Sequence, residues 1–217
     1  MHGYLSNKES FNYQIEFFSR SFRVIAIDIT GFGESKKLPF AYSLDDYVDD
    51  IKKVLINLGI SNYYLVAHSF GGRIAIKLAT SSLSPNKLIL TGSAGLKPKR
   101  TLKYRFKIAY YKLIKRFLSE NAKSKFGSVE YKNLKGFDKQ SYLKIVNEYL
   151  DEYLNKIKCN TLIIFGKDDR ETPIYMAKKL SEKISNSTLF LLENAGHFCF
   201  VEKAVEFNLI ANEFLRG

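Results

Sequence analysis

Ser69 stands in Leu65-Val66-Ala67-His68-Ser69-Phe70-Gly71-Gly72, with small residues two positions before it and two after it. An apolar run ends there and a helical pattern begins. Small neighbours let the chain turn tightly enough to lift the hydroxyl above a strand end, while the next residue's N–H faces the same space. That geometry suits acyl transfer, but a free hydroxyl is too weakly acidic to attack at neutral pH without a base. The chain has three histidines. His68 adjoins Ser69 and points away from it, and His2 lies at the chain start. His197, in Asn194-Ala195-Gly196-His197-Phe198, follows the apolar run 188–192 and is the candidate base, against the plainer reading of a surface-loop histidine.

An imidazole acting as base needs an acid to fix its tautomer and to stabilise its charged form. Residues 161–173 run as an apolar strand into a glycine turn carrying Asp168 and Asp169. Asp169 is the favoured partner and Asp168 the alternative; the plain reading is that both solvate the turn. Against that stands the order serine, acid, histidine, each just past the carboxyl end of a predicted strand, where open parallel sheets gather their sites.

These residues need elements to hold them. Strands are predicted at 22–29, 63–66, 87–91, 161–165 and 188–192, alternating with helices from Ser43 to about Leu58, near 70–82, 174–184 and 202–215. Ser43 reads as an N-cap with Asp46 as its capping-box partner, and Gly59 as the stop. Such alternation predicts an α/β fold, a mostly parallel sheet with helices on both faces.

Together these motifs resemble the α/β-hydrolase superfamily, in particular its single-domain esterases and carbon–carbon bond hydrolases, over His2 to Leu215. His2-Gly3-Tyr4 matches the oxyanion-loop signature, and Asp28-Ile29-Thr30-Gly31-Phe32-Gly33-Glu34-Ser35 the loop after the next strand. Ala67 to Gly71 matches the nucleophile elbow, with alanine where the family carries glycine. Gly166-Lys167-Asp168-Asp169 with Pro173 is similar to the acid loop, favouring Asp169, and Gly196-His197-Phe198 to the histidine loop. The resemblance implies an α/β-hydrolase core of residues 1–96 and 158–217, interrupted by a helical, basic cap at 97–157. It also implies an oxyanion hole built from the backbone N–H groups of Tyr4 and Phe70.

One departure carries a physical expectation. In the family a strand leads into the His-Gly pair and lies between the strands matching 22–28 and 63–66, whereas here Met1 precedes His2 directly. Two rows of peptide groups would face each other unpaired, at about 1–3 kcal/mol for each orphaned group. The expectation is a truncated chain whose true start lies upstream and whose activity is poor.

With 217 residues and 46% hydrophobic composition the chain can bury a substantial core. No apolar run approaches the ~18 residues of a membrane span, and the first residues lack the pattern of a secretion signal. Two cysteines, Cys159 and Cys199, make no disulfide framework, which favours a reducing, cytoplasmic setting. Cys199 is too close in sequence to His197 to converge on it and reads as a buried strand-end thiol. No cofactor is expected: Lys36 occupies the place of the third glycine in a dinucleotide fingerprint beginning at Gly31-Phe32-Gly33. No metal is expected either, for want of ligand spacing.

Most of the net charge of +12 is local. Residues 97–157 hold 16 Lys and Arg against 6 Asp and Glu, while the remainder holds 18 against 16. In 103–118 bulky apolar residues recur between basic ones at helical spacing. The first reading is a cap helix roofing the site with its basic face solvated; peripheral membrane contact through the basic cap ranks second. Nucleic-acid binding ranks last and is not expected, because no binding module accompanies the charge. The expected partner is a small-molecule acyl substrate, with anionic ones favoured by steering. The expected function is a serine hydrolase that cleaves a carboxylic ester or related acyl bond through Ser69, His197 and Asp169 and an acyl-enzyme. The alternatives are carbon–carbon bond hydrolysis by the same residues and a catalytically idle binding protein.

Overall fold

The computed structural model describes residues 1–99 and 133–217, so the expected helix at 103–118 lies outside the described residues. Four strands, β1 (Tyr64–His68), β2 (Lys87–Thr91), β3 (Asn160–Gly166) and β4 (Ser187–Leu192), form one parallel sheet in that order. Among the described residues the α-helices are α1 (Asn12–Phe18), α2 (Leu44–Asn57), α3 (Phe70–Leu78), α4 (Gly136–Asn147), α5 (Ile174–Lys183), α6 (Cys199–Glu202) and α7 (Ala204–Arg216).

Register follows from burial on both faces. Ala67, Leu90, Ile163 and Leu189 stand opposite one another across the four strands. They pack with Leu44, Tyr47 and Ile51 of α2, Ile74 and Leu78 of α3 and Leu180 of α5. One residue along each strand the side chains face the other way: Ile89, Leu162, Ile164 and Leu192 pack with Phe18 of α1, Phe200 of α6 and Phe207, Ala211 and Leu215 of α7. The middles of the central strands, 88–90 of β2 and 162–165 of β3, are therefore apolar without a break, as a sheet covered on both sides requires. This register also aligns the carboxyl ends of the strands, so the turns that follow them open on one rim.

The α2 helix begins as its sequence dictates. Ser43 Oγ accepts from the Asp46 N–H while the Asp46 carboxylate accepts from the Ser43 N–H at 2.7 Å, and Gly59 ends the turn with φ +64°. Its buried positions 44, 47, 48, 51 and 55 form one stripe.

The predicted strand at 22–29 is not formed. A strand exists only through its ladder, and the backbone groups of residues 23–27 make no hydrogen bond among the described residues. A cavity separates this segment from β1. Local β propensity could not supply the missing neighbour.

The described part of the 97–157 insert is tied to the core. The Leu150 N–H donates to the Gly95 carbonyl at 2.8 Å, and the Tyr42 N–H to Ser141 Oγ at 2.8 Å. Arg73 on α3 caps the end of α4, giving Nη1–H bonds of 2.8 Å to the carbonyls of Ile145 and Glu148. Nearby, the buried Lys77 ammonium lies 2.6 Å from both Asp45 and Glu148.

Candidate active site

Ser69 sits between β1 and α3 with φ +50° and ψ −110°, a conformation that few side-chain-bearing residues adopt. Its neighbours explain why the turn must be lined with small residues. A Cβ on Gly71 would stand 2.6 Å from the Met1 carbonyl oxygen and 2.7 Å from that of His2, and one on Gly72 would collide with Ser93 Oγ. Ala67 is fully buried. The strained turn is pinned by the Ser69 N–H donating to the Thr91 carbonyl at 3.2 Å and the Ala94 N–H donating to the Ser69 carbonyl at 3.1 Å. Backbone strain of this sort costs of order 1–3 kcal/mol and persists only where the surroundings enforce it.

The His2-Gly3-Tyr4 segment lies directly against this turn. His2 is buried; its Nε2 accepts the Ile29 N–H at 2.9 Å, so its Nδ1 donates to the Gly3 carbonyl at 2.8 Å. Burial holds its pKa below the ordinary value. The Gly71 N–H donates to the His2 carbonyl at 3.1 Å. A Cβ on Gly3 would meet His68 Nδ1 at 3.0 Å and Ser69 Cβ at 3.4 Å, so any side chain there would need these neighbours to give by a few tenths of an ångström. The backbone N–H groups of Tyr4 and Phe70 make no hydrogen bond among the described residues and stand on either side of this contact. Above them the Tyr4 ring meets those of Phe32, Phe70 and Tyr142 edge-on at 4.9, 5.5 and 5.1 Å, the last belonging to α4 of the insert.

Asp169 and His197 come together. His197 Nδ1 lies 2.9 Å from Asp169 Oδ2, and both side chains are almost wholly buried. A carboxylate accepts, so Nδ1 carries the proton and Nε2 holds a lone pair. Three further donors hold the carboxylate: the N–H groups of Glu171 and Thr172 reach Oδ1 at 2.9 and 2.8 Å, and Thr172 Oγ1 reaches Oδ2 at 2.7 Å. Burial alone would push the Asp169 pKa up, but the bonds from His197 and Thr172 outweigh it and leave the pKa below the ordinary value. Asp168 is exposed. Gly166 is obligatory here, because a Cβ would strike the carbonyls of Ala195 and Gly196 in the loop that carries His197.

The same loop leans on β1 and β2. His68 Nε2 lies 3.0 Å from the His197 carbonyl and the two rings are 4.6 Å apart, while a Cβ on Gly92 would stand 3.1 Å from His197 Nδ1. The Ser69 N–H is bonded to Thr91, next to Gly92 that packs on His197, but the Ser69 hydroxyl makes no hydrogen bond to His197 or to any other of the described residues. Glu171, exposed, brings Oε2 to 3.3 Å from His197 Nε2.

Several contributors were invisible in the sequence. Thr172 had a detectable signal, since an Asp three residues before a Thr forms a local side-chain turn. His68, Glu171 and Glu202, which accepts the Gly196 N–H at 2.6 Å, had none, because their partners are remote or depend on loop shape. Cys199 is buried, with its Sγ 3.2 Å from Thr91 Oγ1, and burial pushes its thiol up to about 11, which suits packing and not attack. It opens α6 and does not end a strand. Among the described residues no cluster of His, Cys, Asp or Glu could hold a metal ion, and no helix is long and apolar enough to cross a membrane.

A profile of the family described as the alpha/beta hydrolase fold matches residues 1–100 and 97–204. The AB hydrolase superfamily protein YisY of Bacillus subtilis is 30% identical over 245 residues, spanning 99% of this chain and 89% of that protein. A 2-hydroxy-6-oxo-6-(2'-aminophenyl)hexa-2,4-dienoic acid hydrolase of Metapseudomonas resinovorans is 26% identical, over 93% of this chain and 76% of its own. Among solved structures an esterase from Exiguobacterium antarcticum superimposes with a TM-score of 0.78 at 25% identity, covering 100% of this chain and 90% of that one. Strand order, the strained turn at Ser69 and these matches agree: the chain belongs to the α/β-hydrolase fold family and is a hydrolase.

Proposed function

We infer that the chain is a serine hydrolase acting on carboxylic esters or related acyl bonds. The observation that carries this reading is the buried 2.9 Å bond from His197 Nδ1 to Asp169, which leaves Nε2 as a lone-pair base on the rim that holds Ser69. Ser69 Oγ attacks the acyl carbonyl and His197 takes its proton. The Asp169 carboxylate keeps the tautomer and stabilises the imidazolium. The developing oxyanion is met by the N–H groups of Phe70 and Tyr4, and each such donor is worth about 10²–10³ in rate. His197 then protonates the leaving alcohol, and a water activated by the same base hydrolyses the acyl-enzyme. The strained backbone at Ser69 serves this step by aiming the hydroxyl out of the sheet. The 97–157 insert acts as the cap, its Tyr142 closing over Tyr4.

A second reading is supported by the relatives named as 2-hydroxy-6-oxo-hexa-2,4-dienoate-type hydrolases: the same residues cleaving a carbon–carbon bond next to a carbonyl. Reaction with a fluorophosphonate probe tests the common core. Labelling that disappears in Ser69→Ala supports a serine hydrolase, whereas a folded protein that takes no label is an idle member of the fold. Comparison of p-nitrophenyl esters with a meta-cleavage dienoate then separates the two chemistries.

A further inference from the structure

Glu171 belongs to the turn that carries Asp169, and its backbone is fixed there: the Glu171 N–H donates to Asp169 Oδ1 at 2.9 Å. Its side chain, 67% exposed, reaches across the rim and brings Oε2 to 3.3 Å from His197 Nε2. That nitrogen is the one on which the proton transfers turn. Among the described residues the Glu171 carboxylate forms no ion pair with a lysine or arginine, so no cation of the chain neutralises it.

His197 Nδ1 donates to Asp169, so Nε2 presents a lone pair, and a carboxylate oxygen likewise only accepts. Two acceptors side by side call for donors. The Ser69 hydroxyl has one proton, and the reaction delivers it to Nε2. In the open site water serves the exposed carboxylate; once a substrate covers the rim, the donor for Glu171 has to come from the substrate, or a charge is left covered and unpaired.

The position of Glu171 decides which part of the substrate supplies that donor. Nε2 hands its proton to the departing oxygen across a hydrogen bond of about 3 Å. With Oε2 at 3.3 Å from Nε2, the departing oxygen lies within about 6 Å of the carboxylate. An ammonium N–H two carbons from that oxygen bridges the gap. An apolar group does not answer the charge, and an anionic one opposes it.

We propose that Glu171 is a specificity residue for the leaving group, selecting esters whose alcohol carries a protonated amine about two carbons from the ester oxygen. It disfavours alcohols that carry a carboxylate or phosphate at that place. The proposal deepens the serine-hydrolase reading and rests on it. It acts at contact distance and on the alcohol alone, and is distinct from long-range steering by the basic residues of 97–157.

The test compares 2-(dimethylamino)ethyl acetate, protonated at neutral pH, with 3-methylbutyl acetate, in which a C–H replaces the N–H in the same shape. Acetate release, corrected for spontaneous hydrolysis, is followed in the full chain, in Glu171→Gln and in Glu171→Lys. The readout is the ratio of kcat/KM for the two esters in each protein, because intrinsic ester reactivity cancels between proteins. The ratio is expected to fall about three- to fivefold in Glu171→Gln, the scale of a partly open ion pair, and further in Glu171→Lys. Added salt is expected to shrink the difference between the proteins. A ratio that stays the same in both variants, while p-nitrophenyl acetate is turned over, overturns this proposal and leaves the serine-hydrolase reading standing. A folded chain that turns over none of the three esters overturns that reading and the proposal with it.

Discussion

His68 Nε2 lies 3.0 Å from the carbonyl oxygen of His197, so the residue before the nucleophile props up the loop that carries the base. A carbonyl only accepts, so this nitrogen bears hydrogen; burial drives the His68 pKa down to about 3 and keeps the ring neutral. His68→Ala leaves that carbonyl without its donor beside a ring-sized void. The expected loss is about 2–4 kcal/mol of stability, read as a lower Tm or urea midpoint. An unchanged midpoint would mean that the loop is held by its other contacts alone.

Replacing each carboxylate near His197 ranks their roles. Asp169→Asn removes the acceptor that fixes the imidazole tautomer and is expected to lower kcat about 10³–10⁴-fold with the fold intact. Asp168→Asn, at an exposed position, is expected to leave kcat unchanged. Glu171→Gln is expected to change it less than about tenfold, because a carboxylate two-thirds exposed is screened by water even at 3.3 Å. Steady-state kinetics on a p-nitrophenyl ester measures all three.

The elbow offers a test through stability. Gly71→Ala puts a methyl against the carbonyls of Met1 and His2, both backbone and unable to swing away, and is expected to destabilise by about 1–3 kcal/mol. Ser69→Gly does the reverse. It frees a residue held at φ +50° and is expected to raise stability by about 1 kcal/mol while abolishing turnover. Chemical denaturation of both variants checks the opposite signs.

Legibility of the fold tracked how local its causes were. Residues 87–91 and 161–165 were readable because strands covered on both faces are apolar without interruption, and the Ser43–Asp46 cap because its partners are three residues apart. The contact between Asp169 and His197 was readable from chain order, since each follows a strand whose end must reach the same rim. Residues 22–29 were misread: Val24, Ile25 and Ile27 have strand propensity, but a ladder needs a neighbour that no local pattern contains. The support from His68 was unreadable because its partner lies in a loop more than a hundred residues away.

Acid is expected to destabilise this chain in steps. The buried His68 has its pKa lowered by burial from 6.5 to about 3. Between those values the unfolded chain binds a proton that the folded chain does not, so stability rises with pH across that window by up to about 1.4 kcal/mol per unit. Asp169 works with the same sign: its folded pKa lies below 3.8, so the stability it contributes above that value fades as its carboxylate is protonated. Urea midpoints are expected to fall steadily from about pH 6.5 to about pH 4, and a flat profile would contradict the buried neutral His68.

The central claim is a covalent acyl intermediate on Ser69. Brief incubation with p-nitrophenyl acetate, acid quenching and peptide mass mapping measure it directly, alongside the burst of nitrophenol. The account predicts a burst of about one equivalent, with the acetyl group on the peptide that contains Ser69 and absent in Ser69→Ala. Turnover of the ester that continues undiminished in Ser69→Ala, or an acetyl group carried on another residue, would contradict it.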